Sequence, residues 1–188
     1  MKMIDLSNIP PNGDWLQLHS GKALYFLDPK EEDIDIGEIA HTLSLLCRFG
    51  GHCSEFYSVA EHSIHCSYHV AKGFELEALL HDATEAYLVD MPRPIKRVLS
   101  GYKYLEDLLD KVIRKKFNLP ETMSPEVHLV DNQVLATEKK YLMKDTGEAW
   151  ENMPEPLDFK IKPVSSKKAY INFLRRFDEL TNSVSQAA

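Results

Sequence analysis

The spacing of apolar residues changes along the chain, from a loose two-residue alternation to a helical repeat. Residues 15–36 alternate around a Ser-Gly pair and again around an Asp-Pro pair, which predicts a short β-hairpin. From Gly37 onward, apolar positions recur at intervals of three and four, as in a helix that buries one face. The pattern therefore predicts an all-α domain with a small β-hairpin near its N-terminus.

Capping and turn residues divide the helical part of the sequence. Ser54 is the predicted cap of the second helix, and Pro125 stands at the first position of the fifth, where proline is favoured. The predicted helices cover about residues 37–49, 54–71, 75–89, 102–117 and 124–143, and a last helix opens at Ser165 or Ser166. Residues 145–164 contain a glycine and three prolines and are expected to form an extended surface loop.

Length and composition indicate one domain that spans residues 1–188. No apolar run approaches the roughly 20 residues that cross a bilayer, and the N-terminus lacks the pattern of a signal peptide. The three cysteines, Cys47, Cys53 and Cys66, are odd in number and form no Cys-x-x-Cys pair. We expect reduced thiols and a cytoplasmic protein.

The formal net charge of −7 disfavours binding to polymeric nucleic acid or to an anionic membrane. A small anionic substrate stays compatible with this charge, because it needs only a local cluster of cations or a metal ion.

Candidate chemistry begins at His81 and Asp82, which directly follow an apolar run on the third predicted helix. An ionised carboxylate on a core-facing turn is costly unless another group pairs with it. His62 lies on the second predicted helix, and Asp131 lies on an apolar stripe of the fifth. Two histidines and two aspartates that converge from three helices can form one divalent-metal site with open positions for water and substrate.

An adjacent His-Asp pair alone is common by chance, so the ordered set carries the prediction. A bound metal lowers the pKa of its water and attracts phosphate oxygens, which suits an anionic substrate. His65, His69 and Cys66 lie near His62 in the sequence, but no further ligand is spaced to complete a second site.

Three further features are open to two interpretations each. Arg48 precedes two glycines, where its guanidinium either clamps phosphate oxygens or only complements the helix dipole. Glu85 lies one turn from His81 and is either an acid–base group or an exposed helix glutamate. The cluster of Arg93, Lys96 and Arg97 either contacts phosphate or forms a solvated face.

The order of these motifs resembles the signature of the HD superfamily of metal-dependent phosphohydrolases. The segments CRFGGHCSEFYSVAEHS, ALLHDATEAYLVDMPRPIK and VDNQVLATEKKYL are similar to those of small bacterial and phage HD-domain 5′-deoxynucleotidases. They are also similar to those of the related phage dATP triphosphohydrolases. The resemblance covers most of the chain, from about residue 20 to the last helix.

The resemblance implies an HD-domain helical bundle that forms a homo-oligomer. It implies a divalent transition metal (cobalt, manganese, zinc or iron), Arg48 at the phosphate and Glu85 as the acid–base group. Asp90 would lie at the sugar end and help to select 2′-deoxyribose, and Phe49 stands where monophosphatase members often carry tryptophan. The implied metal ligands are His62, His81, Asp82 and Asp131, and the implied substrate-binding residues are Arg48, Phe49, Asp90, Pro92 and Lys96.

The expected function is hydrolysis of a 2′-deoxynucleoside monophosphate to deoxynucleoside and phosphate. The alternative on the same site is hydrolysis of dATP or another deoxynucleoside triphosphate with release of triphosphate. An alternative of another class is a nucleotide-binding module without turnover. A cyclic-nucleotide or alarmone hydrolase is disfavoured, because no GYP motif follows the His-Asp pair and the chain is short.

Overall fold

The computed structural model describes residues 13–99 and 101–185, a mostly helical chain with a hairpin at its start. Strands β1 (Trp15–Gln17) and β2 (Ala23–Tyr25) pair antiparallel, with Leu16 opposite Leu24. The predicted hairpin is confirmed, but it ends at Tyr25, and Glu31–Asp33 forms a 3₁₀ turn instead. The first twelve residues, where the sequence predicts no signal peptide, lie outside the described residues.

The predicted all-α architecture is confirmed in the described part of the chain. The helices are α1 (Ile36–Leu45), α2 (Val59–His69), α3 (Glu75–Leu80), α4 (Glu85–Leu88), α5 (Arg93–Lys96), α6 (Tyr102–Lys116), α7 (Pro125–Leu142) and α8 (Ser166–Ser185). The bounds of α6 and α7 agree with the sequence prediction to within a residue, and α8 begins at one of the two serines that were predicted to open it. The short helix α5 was not predicted, because four residues are too few to show a periodic pattern.

Helix α2 lies at the centre of the fold and packs against α1, α3, α7 and α8. A capping box fixes its first turn: the Ser58 hydroxyl accepts from the Glu61 amide, and the Glu61 carboxylate accepts from the Ser58 amide. The prediction that Ser54 caps this helix is therefore wrong. The Ser54 amide and hydroxyl both donate to the carbonyl of Leu142 at 2.8 Å and tie this segment to the end of α7.

The predicted helix over residues 75–89 is broken in two between Leu80 and Glu85. Across the break the hydrogen bonds span three residues, from the Ala83 amide to Leu80 and from the Glu85 amide to Asp82. Nδ1 of His81 contacts the carbonyl of Ala78 at 2.8 Å, which in a regular helix would accept from the amide of residue 82. This local bond accounts for the break and turns His81 and Asp82 inward on a tight bend.

Helix α1 ends at Leu45, earlier than the glycines at 50 and 51 where the sequence predicts its end. Residues 46–48 run beside residues 57–59, with hydrogen bonds from the Arg48 amide to Tyr57 and from the Val59 amide to Leu46. This pairing holds Arg48 beside the first turn of α2.

Residues 145–164 contain no helix or strand, as predicted, but only their first half is a surface loop. Ile161 is buried with Tyr57 and Leu142, and Phe159 packs against them. The second half of the segment is therefore anchored in the core. Among the described helices, none is both long and apolar enough to cross a membrane.

Candidate metal centre

Two buried imidazoles, His62 from α2 and His81 from the bend after α3, form the base of the site. Nδ1 of His62 lies 2.7 Å from a carboxylate oxygen of Glu138, and Nδ1 of His81 lies 2.8 Å from the carbonyl of Ala78. Because both partners are acceptors, both Nδ1 atoms donate. The Nε2 atoms are 3.3 Å apart and point to one place. Histidines that ligate metals are commonly oriented by such hydrogen bonds from the other ring nitrogen.

Two carboxylates approach the same place from α7 and from the bend. Oδ1 of Asp131 lies 3.2 Å from Nε2 of His62 and 3.8 Å from Nε2 of His81. Oδ1 of Asp82 lies 3.3 Å from Nε2 of His81, and Oδ2 of Asp82 lies 3.6 Å from Nε2 of His62. Nitrogen and oxygen atoms that share one transition metal at about 2.0–2.2 Å lie roughly 3–3.6 Å apart. Four of the five separations lie in this range, and the separation of 3.8 Å between Asp131 and His81 lies slightly above it, so the four predicted ligands meet around one point.

Cys66 is a further potential ligand that the sequence interpretation set aside. The buried group of His62, Cys66 and His81 has ligand atoms within 4.8 Å of one another and could hold a metal ion. Sγ of Cys66 lies 3.6 Å from Nε2 of His62, one helical turn away on α2. Burial raises the pKa of this thiol to about 11. The thiol packs in an apolar cluster with Ala78, Val127, Val130 and Val134.

Glu138 is the residue of the site that sequence reasoning missed. It is completely buried on α7 and accepts hydrogen bonds from Nε and Nη2 of Arg48 at 3.2 and 2.9 Å while it contacts His62. One signal could have identified it: Glu138 follows Asp131 by seven residues, two turns further on the same face of α7.

The charges in the site stabilise one another. Burial and Arg48 lower the pKa of His62, but the surrounding acidic groups outweigh them and raise it well above its ordinary value. Burial opposes ionisation of Asp131, yet His62 and His81 hold its pKa well below the ordinary range. Glu138 is likewise held at a pKa of about 2, against its burial, by Arg48 and His62. The cluster is thus a buried ionic network in which every charge depends on its neighbours.

Arg48 lies beside this network and is itself buried. Besides its bonds to Glu138, its Nη1 lies 3.6 Å from Asp82. The sequence predicts Arg48 at the end of a helix, but it lies in a separate turn, Arg48–Gly51, in which Phe49 has a positive φ of 58°. A bulky residue in this conformation is strained, and such strain is concentrated at functional sites.

Glu85 begins α4 with its carboxyl group buried beside the aspartates. Its Oε2 finds no hydrogen-bond partner within the described part of the chain. Burial, and then the charges of Asp82 and Asp90, raise its pKa well above the ordinary value. The interpretation as an exposed helix glutamate is therefore wrong. Glu85 is a buried carboxyl group that favours the protonated form.

The remaining predicted residues line the same cleft and have contacts of their own. Asp90 follows Val89, a β-branched residue at a φ of 65°, and burial raises the pKa of Asp90. The Lys96 ammonium lies 2.7 Å from Glu106 and above the ring of Tyr102. Nη2 of the exposed Arg93 side chain lies 3.2 Å from Asp131.

A cleft of about 1420 Å³ opens over the site. It exceeds the usual ligand pocket of roughly 300–1,000 Å³ and leaves room for a substrate larger than a phosphate ion. Its walls include Arg48, Phe49, His81, Asp82, Glu85, Asp90, Pro92, Lys96 and Asp131, all the predicted site residues except His62, which is buried beneath them.

The fold and the site define a mostly helical protein with a small hairpin and a buried histidine cluster that could hold a metal ion. No family model matches the chain. It is 44% identical to the uncharacterized protein YfdR of Escherichia coli K12 over 170 residues, which are 89% of this chain and 96% of YfdR. The chain therefore belongs to the same protein family as YfdR.

A second relative is the uncharacterized protein RCAP_rcc00048 of Rhodobacter capsulatus. It is 37% identical over 119 residues, which are 58% of this chain and 61% of that protein. Neither relative's name describes an activity.

Proposed function

We propose that this protein is an HD-type, metal-dependent phosphohydrolase that acts on 2′-deoxynucleotides. The observation that carries the proposal is the convergence of His62, His81, Asp82 and Asp131 at the base of a cleft that also contains Arg48 and Glu85. The order of these residues in the sequence carries the resemblance to HD phosphohydrolases, and their meeting in space supports the same proposal.

Four residues are the proposed ligands of one divalent transition metal: His62, His81, Asp82 and Asp131. Both aspartates line the cleft, whereas Cys66 is fully buried among apolar side chains of α2, α3 and α7. A ligand set that faces the cleft leaves substrate access on one side, as a catalytic site requires. When bound, a divalent metal supplies a water of lowered pKa and offsets the charge of phosphate oxygens.

Arg48 is the proposed phosphate-binding residue. Arg48 lines the cleft, its Nη1 lies 3.6 Å from Asp82, and its Nε and Nη2 donate to Glu138. The guanidinium is thus oriented by a buried carboxylate and retains donors that can reach a phosphoryl oxygen. A fixed donor loses little conformational entropy on binding, which favours stabilisation of charge on the phosphoryl group.

Glu85 is the proposed acid–base residue. Its buried carboxyl group borders the cleft beside Asp82, and one oxygen has no partner among the described residues. A protonated carboxyl group of this kind can donate a proton to the leaving oxygen of the sugar, and its carboxylate can accept one from water. A module that only binds nucleotides has no need of such a group.

Asp90 and Phe49 are the proposed sugar contacts. Both line the cleft near Arg48, and a strained backbone position lies at Phe49 and directly before Asp90. The Asp90 carboxylate can accept a hydrogen bond from the 3′-hydroxyl of a deoxyribose. The Phe49 ring can occupy the space that a 2′-hydroxyl would need.

The test is to incubate the protein with dAMP, AMP and dATP, with and without manganese or cobalt, and to separate the products. We expect deoxyadenosine and phosphate from dAMP, dependence on added metal, and little product from AMP. Deoxyadenosine and intact triphosphate from dATP would instead support the triphosphohydrolase alternative. A metal-loaded protein that leaves every nucleotide unchanged would contradict an enzymatic function.

A further inference from the structure

Trp150 is an aromatic residue of the cleft to which the sequence assigns no role. The ring of Trp150 is 6.4 Å from the ring of Phe49, centre to centre, at an angle of 51°. Both residues line the cleft that contains the candidate metal ligands. Trp150 is 36% exposed, so part of its ring remains available for contact.

Trp150 is supported by α7. The Lys139 ammonium lies 4.9 Å from the centre of its ring, in a cation–π contact. Lys139 also approaches the carbonyl of Glu148 at 3.5 Å, and the amide of Leu157 donates to the Thr137 hydroxyl at 2.9 Å. The loop that carries Trp150 is thus attached to α7 on both sides of the tryptophan.

The aromatic surface continues from Trp150 toward the phosphate-binding residue. The guanidinium carbon of Arg48 lies 5.4 Å from the centre of the Phe49 ring. Arg48, Phe49 and Trp150 therefore follow one another along one wall of the cleft, and Met143 and Met153 add apolar surface to the lining. A ligand with its phosphate at Arg48 would lay its other end along this wall.

We propose that Trp150 is the platform on which the nucleobase of the substrate stacks. This inference rests on the proposed function, because it requires a phosphate at Arg48 and a base at the other end of the same ligand. An indole ring provides a large, flat and rigid surface, and a base that stacks on it needs no specific hydrogen-bond pattern. Purines should bind more tightly than pyrimidines because their larger rings make more contact with the indole. The platform would not select one particular base.

The chain has two tryptophans, which allows binding to be read separately from activity. Trp15, in β1, is 53% exposed and does not line the cleft. In a Trp15→Phe protein, Trp150 is the remaining tryptophan, and in a Trp150→Phe protein it is Trp15. Adding Glu85→Gln to both keeps the nucleotide from being consumed during a fluorescence titration.

We expect dAMP to quench the fluorescence of Trp150 in the first protein and to leave that of Trp15 in the second unchanged. As a probe without a base, 2-deoxyribose 5-phosphate should quench neither. In the otherwise unaltered enzyme, Trp150→Ala should raise KM for dAMP about 5- to 150-fold, the range of one lost base–aromatic stack. Trp150→Phe should retain more affinity, and Trp15→Ala should leave KM unchanged.

Two negative outcomes are distinguishable. If the wild-type protein hydrolyses dAMP but Trp150→Ala has the same KM and Trp150 is not quenched, the platform is wrong and the proposed function stands. If metal-loaded wild-type protein neither binds nor hydrolyses deoxynucleotides, the proposed function is wrong and the platform with it.

Discussion

His62 and His65 lie one turn apart on α2, and both are shielded from solvent, yet their surroundings differ in kind. His62 is fully buried, which lowers its pKa, but the acidic groups around it, Glu138 and Asp131 among them, raise that pKa well above the ordinary value. His65 packs near the rings of Tyr57 and Phe159, and burial lowers its pKa to about 4. Burial of an imidazole is therefore not what marks the site. The carboxylates that α7 places beside His62 distinguish the site from the surroundings of His65.

The largest expected effect comes from removing the carboxylate that holds both His62 and Arg48. Glu138→Gln removes the charge of the carboxylate that accepts two hydrogen bonds from buried Arg48 and leaves it only the longer contact with Asp82 at 3.6 Å, and breaking a buried ion pair in this way costs about 3–5 kcal/mol. We expect the free energy of unfolding in urea to fall by that amount. Metal affinity should fall by about 10- to 100-fold with the loss of His62 orientation.

Glu126→Gln is the matched control, because Glu126 is an exposed residue of the same helix. It should unfold and bind metal as wild type does. If Glu138→Gln behaves in the same way as this control, the buried network does not support the site.

The next largest effect is on catalysis. Glu85→Gln keeps the size of the side chain and removes its ability to transfer a proton, so kcat on dAMP should fall by about 10²- to 10⁴-fold. The protein should retain its metal and its stability, since the buried carboxyl group already favours its neutral form. Measured kcat within about threefold of wild type would contradict the acid–base role.

A smaller effect concerns His65 and the pH dependence of the free energy of unfolding. In the unfolded chain His65 takes up a proton below a pKa of about 6.5, whereas in the folded chain it does so only near pH 4. The unfolded state therefore binds more protons in this window, and stability falls as pH is lowered from about 6.5 to 4. His65 should contribute about 1–3 kcal/mol to that fall, less where its partial exposure lets water stabilise the charge.

The measurement is the free energy of unfolding from pH 7 to about 4.5, with a chelator in all samples. In His65→Gln the decline on acidification should be shallower than in wild type. Identical pH profiles for wild type and His65→Gln would contradict the assigned environment.

The smallest expected effect on the free energy of unfolding comes from Arg93, an exposed residue that lines the cleft. Arg93 pairs with Asp131, but its side chain is 55% exposed, and such pairs contribute about 0–1 kcal/mol. We expect Arg93→Ala to change the free energy of unfolding by less than about 1 kcal/mol and to leave metal content unchanged. Loss of metal in this variant would show that Arg93 belongs with the buried network.

The sequence indicates which residues meet in the buried cluster better than it predicts the backbone that presents them. His62, His81 and Asp131 were identified because ionisable residues on apolar faces are unusual, and that pattern survives errors in helix bounds. The break after Leu80 was not predicted, since it depends on a bond between His81 and Ala78 that has no periodic signature. The true cap, Ser58, does carry a local signal, because Glu61 follows it at the spacing of a capping box, whereas Ser54 has no such partner and bonds to the distant Leu142 instead.

Glu138 and Trp150 were missed for a related reason. Glu138 sits in a run of charged residues at 138–140, which looks like a solvated face until Arg48 and His62 approach it from other helices. Trp150 lies in a loop without a pattern, and its place in the cleft depends on its contact with Phe49, about a hundred residues earlier in the sequence. Contacts between distant segments are what local patterns do not encode.

The most direct test is the metal content of three proteins after loading with manganese, cobalt or zinc and removal of free ion. We predict about one metal per chain in wild type and in Cys66→Ser, and loss of metal in Asp131→Asn, which removes a carboxylate oxygen that faces the cleft. This result would support the His and Asp ligand set. Retention of metal in Asp131→Asn together with its loss in Cys66→Ser would contradict it and place the ion with His62, Cys66 and His81.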